Sequence, residues 1–501
     1  MRMQRFGAVC AAGVVAAAGL AQGQVEVIYA GDPESGKTQV PGRPHLNFRA
    51  PLASFQQLSH SSDRTRWTFR AFAPDAANTT IDVLMSGTGT TGEAFLSRDD
   101  SADFLPNFTG WAFFDSDIGV ANDGRVYFGY RADGGTVTDA NNEGIAVFDP
   151  ATNQFTDLVN GADIAPGVQL IGGTGTLGNS LRVLAVAGNG TSIVYAGNMS
   201  VGTGNLNTAI WRGFPLEGQP LLQKGTELAP NDFLRTVWGF SSRSALSGDG
   251  SSWAHIGRLK FGENPFDPIF PNRDVLFVNG DIVIEAGDLI GQQPVDEVLA
   301  VNMSADGAWF ARGAFENGDS FVSQGTTLIF RSGDPVPGGH AGEIIDSVQN
   351  LDALDNGDRL WTFSTTGPDG DSQVVVLNDT VLARRGDPID LNGNGQFDND
   401  AFIRGFSANS IFLGADDFVY AIINLEAGDG TSRGNAFARI STDPAPTCPA
   451  DLNNDGVVDA DDFFLFLSLF AAGDPRADIN NDGVIDADDF FAYLTLFAQG
   501  C

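Results

Sequence analysis

Between residues 24 and 440 the chain repeats one pattern: a glycine-containing or acidic turn followed by a short run rich in Phe, Tyr or Trp. The turns and runs begin at Ser62-Asp63 before Trp67 and Phe69, Asn122-Asp123-Gly124 before Tyr127 and Phe128, and Gly188-Asn189-Gly190 before Tyr195. They continue at Gly248-Asp249-Gly250 before Trp253, Ala305-Asp306-Gly307 before Trp309, Asp355-Asn356-Gly357 before Trp361, and Ala415-Asp416-Asp417 before Tyr420. The copies lie about 59 residues apart, a period that in a strand-rich chain points to a propeller or solenoid whose units bury their faces only against neighbours. A second run and then a third ending in Gly-Asp follow in several copies, as in Asp274 to Val278 with Ile282 to Asp288, and Val374 to Leu377 with Val381 to Pro388. Asn279-Gly280 and Asn378-Asp379 between paired runs are hairpin signals, so the sheets are expected to be antiparallel. Val374 to Leu377 is apolar on both faces, as a strand covered on both sides requires.

The two ends of this region decide between a ring and an open stack. Val25 to Pro33 matches the third-strand element of later copies (Ile329 to Pro335), and the last copy stops at Asn435 to Ile440 without such a strand. The first strand therefore completes the last unit, which closes a ring and leaves no open edge, where a solenoid would want capping repeats. The expected fold is all-β, a seven-bladed β-propeller, preferred over an open stack or tandem sandwiches.

Composition narrows the functional classes. The 501 residues carry a net charge of -35, which repels phosphate backbones and makes nucleic acid a poor partner. Asp outnumbers Glu about four to one, as turns and hard-cation loops favour. Arg2 and Arg5 precede an apolar run from Phe6 to Leu20 and the small-residue site Ala21-Gln22-Gly23, which reads as a signal peptide over 1–23. No later stretch is apolar enough to span a bilayer, so an exported mature chain without a transmembrane segment is expected. Removing the leader leaves Cys448 and Cys501, which flank the last segment in a compartment where disulfides persist. A bond between them and a free terminal thiol both remain open.

Residues 448–501, joined by a linker at 441–447, carry the most specific chemistry. Asp451, Asn453, Asp455, Asp459 and Asp462 place oxygens at positions 1, 3, 5, 9 and 12 of a loop with Gly456 at position 6 and the Val457 carbonyl at position 7. Asp478, Asn480, Asp482, Val484, Asp486 and Asp489 repeat the set around Gly483. Ca²⁺ takes six to eight hard oxygen ligands, and alternating acids around a glycine turn supply them. A short apolar helix is expected after each loop, over Phe463 to Phe470 and Phe490 to Phe497, with none of comparable length before it. Two such helices hide one face each, so the excess, including Phe464, Leu465 and Phe491, predicts a partner surface or docking on the main domain.

The arrangement resembles a dockerin, the two-loop calcium module that binds cohesin domains. With Cys448-Pro449 and Gly500-Cys501 at its ends it resembles the GC-type dockerin of exported bacterial proteins. That resemblance implies docking to a cohesin-like or cell-surface scaffold, with Ala460-Asp461 and Ala487-Asp488 matching the partner-contact positions. The propeller repeats resemble an exported tandem-repeat family marked by Asn-x-x-Gly-x-x-Ala-Phe and Gly-Asp-Pro elements, seen at Asn122 to Phe128, Gly31-Asp32-Pro33, Gly333-Asp334-Pro335 and Gly386-Asp387-Pro388. It implies no known chemistry.

Other signals are weaker. Gly87 to Gly92 and Gly173 to Gly178 fit G-x-G-x-x-G but open no amphipathic helix, so interstrand loops are expected. His45, His60, His255 and His340 lack metal-ligand spacing. Asp390, Asn392, Asn394 and Asp398 suggest a third, weaker calcium loop, lacking an acid at position 12, where Ala401 stands. With so many aspartates, a glycosidase pair is neither indicated nor excluded. The expectation is a secreted calcium-binding protein whose dockerin-like module carries a binding or display propeller. The alternative is an extracellular polysaccharide hydrolase or lyase delivered by the same module.

Overall fold

The computed structural model describes residues 25–49, 55–102, 109–134, 142–161, 163–168, 176–178, 180–199, 208–213, 220–224, 235–261, 272–355, 357–367, 372–394, 401–442, 450, 452, 458, 460–473, 477, 479 and 484–499. The leader, Cys448, Cys501 and most of the loop ligands (Asp451, Asn453, Asp455, Val457, Asp459, Asp478, Asn480, Asp482, and Asp398 of the third loop) lie outside these residues. Among the described residues no helix is long and apolar enough to cross a membrane.

Seven antiparallel sheets form seven blades. Their inner strands are Phe55–His60, Gly110–Val120, Arg182–Val186, Arg235–Leu246, Gln293–Met303, Ile344–Ala353 and Phe402–Leu413, for blades one to seven in that order. Each inner strand contacts the next, and the seventh contacts the first, so the sheets close into a ring. The aromatic runs are the second strands, beginning with Trp67–Pro74 in blade one. Their rings fill the gaps between blades: Trp67 and Phe69 meet Phe437 of blade seven at 4.9 and 5.0 Å, and Trp361 meets Phe330 of blade five at 5.3 Å. A fully buried ring of this size contributes on the order of 2 kcal/mol, so regular spacing of such rings is what a stack of blades needs.

Closure follows the expected register. Val25–Ala30 pairs antiparallel with Ser432–Ser441 as the fourth, outermost strand of blade seven. Arg433 reaches Asp32 at 2.6 Å and fastens the end of that strand. The Gly-Asp elements have a definite task. Gly333 and Gly386 take φ of 89° and 92°, where a glycine is needed. Gly333 N and Ile345 N then bond Ile345 O and Asp334 O at 2.8 Å each, zipping the outer strand of one blade to the inner strand of the next. Gly386, Asp387 and Ile403 repeat this one blade later. The Gly87 to Gly92 motif is a hairpin tip, as expected; a Cβ at Gly92 would lie 2.1 Å from Trp67.

The turns after the inner strands form a second closure, around the axis. Links between neighbours run from Asn122 N to Gly188 O (3.0 Å), Asn189 N to Gly248 O (3.3 Å), Gly248 N to Ala305 O (2.9 Å) and Ala415 N to Arg64 O (2.9 Å). Side chains supply the rest: Ser62 Oγ to Asn122 Oδ1 (3.1 Å), Asp306 N to Asp355 Oδ1 (3.2 Å) and Leu413 N to Asp352 Oδ2 (3.0 Å). The blade-one turn crosses the axis. A Cβ at Gly188 would lie 1.9 Å from Ser62 Oγ, and one at Gly248 3.3 Å from it. Arg64 of the same turn forms a two-pronged pair with Asp352 of blade six (2.5 and 2.9 Å) and also donates to Leu413 O at 3.2 Å. Burial opposes the charge on Asp352, whose side chain is 2% exposed, but the Arg64 guanidinium outweighs it and holds the carboxyl below the usual range.

The C-terminal segment folds as two helices, α1 (Ala460–Ala472) and α2 (Ala487–Gln499), each starting three residues before the expected apolar run. Asp486 caps α2 by accepting from Asp488 N at 2.9 Å, and Asp489 returns a bond to Asp486 N at 2.9 Å, a reciprocal cap that admits the acidic residues into the first turn. Phe466 stacks on Tyr493 at 4.1 Å, and Tyr493 donates to Ala450 O at 3.0 Å.

Two stability outcomes follow from the axial plug. Gly188→Ala is expected to lose about 1 kcal/mol or more by overpacking against Ser62 Oγ and the Asn122 amide, with only part of the loss recovered in a Gly188→Ala, Ser62→Gly double variant, as read by urea unfolding. Asp352→Asn leaves the Arg64 charge buried and is expected to cost roughly 3 kcal/mol at pH 7. Because the folded carboxyl titrates below its unfolded value near 4, its stabilisation is complete above that value and is lost as pH falls, so the gap between variant and parent closes in acid.

Candidate functional site

All seven inner strands carry bulges. The pairing register slips between Gln56 and Ser59, Phe114 and Ile118, Val183 and Ala185, Phe240 and Ser244, Val298 and Ala300, Val348 and Asn350, and Phe406 and Ile411. An extra residue breaks the alternation of faces and re-aims side chains, here toward the axis. Gln57 and Asn409 adopt φ of 56° and 53° at two of these bulges, a region non-glycine residues seldom occupy, and both line the axial space.

The result is a cavity of about 380 Å³ on the ring axis, bounded by residues from all seven inner strands. Its polar wall includes Gln57, Ser59, His60, Asp117, Arg243 and Asn302, with Ser244, Asn350, Asp352, Asn409 and Ser410 beside them. Gln57 Oε1 and Asn302 Oδ1 are buried and have no hydrogen-bond partner among the described residues. Asn350 is committed: its Nδ2 donates to Ser407 O at 3.3 Å and its Oδ1 accepts from Asn409 N, which pins the blade-seven bulge.

His60 stands beside the plug, its ring stacked on Phe412 with centroids 4.7 Å apart and a quarter of its side chain exposed. Its Nδ1 lies 2.8 Å from the Ser61 carbonyl, which only accepts, so Nδ1 holds the proton and Nε2 the lone pair. Nε2 is 3.9 Å from Asp352 Oδ1, too far for a hydrogen bond. Burial, and then the Arg64 charge, push the imidazole below its ordinary value against the pull of Asp352, Ser61 and Asp63, so the ring is neutral near pH 7.

A second histidine sits behind the wall. His255 Nδ1 lies 2.6 Å from Ser244 Oγ, a spacing that suggests a nucleophile and base. Burial pushes this imidazole down to about 3, and a base that weak gains little from taking a serine proton at neutral pH. The pair is a packing and hydrogen-bonding contact. Spacing along the chain singles out none of the four histidines; only the folded ring brings His60 to the cavity.

Of the tail residues that the loop pattern selects, Asp462, Val484, Asp486 and Asp489 are described. Asp462 and Asp489 occupy position 12 of the two loops and are fully buried, and Asp462 Oδ1 reaches back to Leu452 N at 2.8 Å. A carboxylate turned inward toward the start of its own loop fits a cation held there. Among the described residues no group of three or more His, Cys, Asp or Glu is gathered for a metal. Ala460, Ala487 and Asp488 are exposed, and with Asp461 they stand where the ends of the two loop patterns run into the first helical turns. Phe464 and Phe491, at equivalent positions of the two helices, are 62% and 63% exposed, while Leu465 is half-buried. In the third candidate loop, Asp390 Oδ1 accepts from Gly393 N (2.8 Å) and Asn394 N (3.1 Å), and Asn392 Oδ1 accepts from Asn394 N (2.9 Å), the bonding of an Asx-type turn.

No protein-family profile and no curated protein matches the chain. Among solved structures, the polysaccharide lyase Uly1 aligns with 85% of this chain and 100% of its own at 11% identity and a TM-score of 0.42. An oligogalacturonate lyase in complex with manganese aligns with 85% of this chain and 99% of its own at 10% identity and a TM-score of 0.38. A Trypanosoma rangeli sialidase aligns with 84% of this chain and 59% of its own at 10% identity and a TM-score of 0.30. Likeness of this degree carries no argument about chemistry, which rests on the residues of the cavity itself.

Proposed function

We propose that the chain is an exported polysaccharide-processing protein, with the axial cavity as its glycan site and the C-terminal helices as a calcium-folded, dockerin-like module that ties it to a cohesin-like or cell-surface scaffold. One observation carries the first part: a pocket of small-ligand size whose wall holds Gln57 Oε1 and Asn302 Oδ1 without donors among the described residues, beside Ser59, Asn409 and Ser410. Buried acceptors of this kind favour a ligand rich in hydroxyl donors, and a saccharide is such a ligand. Binding without turnover is the second reading, favoured by the engagement of Asp352 with Arg64, which withholds a carboxylate that hydrolysis would use.

For the tail, calcium would be held by Asp451, Asn453, Asp455, Asp459 and Asp462 with the Val457 carbonyl, and by Asp478, Asn480, Asp482, Asp486 and Asp489 with the Val484 carbonyl. The ion supplies folding energy to the loops, and Asp462 and Asp489 couple that energy to the helices they start. Cys448 and Cys501 would then join the ends of the module. Asp390, Asn392, Asn394 and Asp398 remain a candidate for a third ion.

Two measurements test this reading. Calorimetry of the full chain with soluble oligosaccharides is expected to show binding that Asn302→Ala weakens about tenfold, the loss of one good hydrogen bond; no heat with any saccharide overturns the glycan site. Hydrogen exchange with and without a chelator is expected to show protection at 460–499 only when Ca²⁺ is present. Asp462→Asn with Asp489→Asn is expected to remove it, and a tail equally protected after chelation overturns the module.

A further inference from the structure

Resting on the reading of the cavity as a glycan site, we propose that it is a blind pocket for the end of a glycan chain, which enters as a single terminal stretch, and not a cleft for an internal segment.

The floor of the cavity is solid. Its wall includes His60, Val120 and Val186, the last residues of their inner strands, so the space runs down to the turns that follow them. Those turns meet on the axis. Ser62 Oγ of blade one lies 3.1 Å from Asn122 Oδ1 of blade two, and Cβ atoms at Gly188 of blade three and Gly248 of blade four would come within 1.9 and 3.3 Å of it. Gly248 N in turn donates to Ala305 O of blade five at 2.9 Å. Arg64 covers the remaining side, reaching Asp352 of blade six at 2.5 and 2.9 Å and Leu413 O of blade seven at 3.2 Å. Atoms from all seven blades thus close this end, and a saccharide strand cannot thread between them.

The sides are closed as well, because each inner strand contacts the next around the ring. A ligand therefore enters and leaves by one end, where the inner strands begin. The acceptors that lack donors lie below that opening. Asn302 is the last residue but one of Gln293–Met303, as Asp352 is of Ile344–Ala353, so its Oδ1 belongs to the lowest part of the wall, beside the floor. Gln57 stands three residues before His60, at most about 10 Å farther from the floor, and gives a second acceptor along the way in.

This shape separates the ways a polymer could bind. A chain lying across the mouth stays a pocket's depth away from Asn302 Oδ1 and leaves that buried acceptor unpaired. An internal stretch folded back on itself would bring two saccharide strands into about 380 Å³, near the lower end of the range for small-ligand sites. A chain end enters as one strand. Its last ring also keeps a free hydroxyl where an internal ring carries a linkage, and a hydroxyl is the donor that the acceptor at the bottom lacks. Burial of the terminal ring, then, is the binding event, and the rest of the chain trails out of the mouth.

Soluble linear polymers of different sugars (pectate, alginate, xylan, arabinan and amylose) are each fragmented to a series of mean lengths. Every fraction is titrated with the full chain by calorimetry, and the complexes are sized by sedimentation. For a polymer that binds, the affinity counted per chain is expected to be the same for all lengths beyond a short oligomer. Counted per unit mass it then falls about tenfold for each tenfold gain in length, which is the dilution of chain ends. Long chains are expected to carry one protein each. Asn302→Ala is expected to weaken short and long chains by the same factor, about tenfold, with folding checked by thermal unfolding. Affinity per unit mass that does not change with length, several proteins along one chain, or long chains indifferent to Asn302→Ala overturns end recognition and leaves the glycan site standing. No heat with any saccharide of any length overturns both.

Discussion

The ring depends on one strand pairing. Val25–Ala30 lies along Ser432–Ser441, with Val25 opposite Ile440 and Ala30 opposite Ala436. Without it blade seven would end at an open edge, and the apolar residues between blades seven and one would lose a wall. Tyr29 joins Phe69, Trp67 and Phe437 in that gap, and Phe55 N and O are both bonded to the Asn435 side chain. Backbone ladder and aromatic packing thus close the same seam, and everything at the axis is held in place by that closure.

Within the closed ring the bulges and the plug divide the labour. The plug is made of turn backbone and a few short side chains, with Ser62 at its centre and Arg64 reaching across to Asp352. The bulges turn polar residues toward the axis where regular strands would have continued their alternation. A strained residue such as Gln57 is tolerated because the strands on either side fix it. This gives the axial space a floor with neutralised charge and walls of amides and hydroxyls that also carry His60, Asp117 and Arg243.

Much of the blade plan was legible in the sequence because its signals are local. The acidic turns, the aromatic strands after them and the Gly-Asp elements each sit within a few residues, and the likeness of Val25 to Pro33 to later outer strands revealed the closure. The inner strands were not legible. Ile344–Ala353 and Phe402–Leu413 contain register slips, so apolar and polar positions do not alternate through them, and the run that follows each turn reads as the first strand when it is the second. The cavity was hidden for a different reason: His60, Asn302, Arg243 and Asp352 share no local motif and meet only because blades far apart in the chain surround one axis. In the tail, the loop spacing was plain and the longer helices were not, since Asp in a first helical turn looks like loop until capping is considered.

The closure also has a kinetic side. The hydrogen bond between Phe55 and Asn435 spans 380 residues, and the ladder beside it spans more. No blade-seven seam can form until both partners have left the ribosome, and bringing them together must overcome the loop entropy of nearly the whole propeller. The ring is therefore a late product of folding, assembled only once nearly the whole propeller has been synthesised.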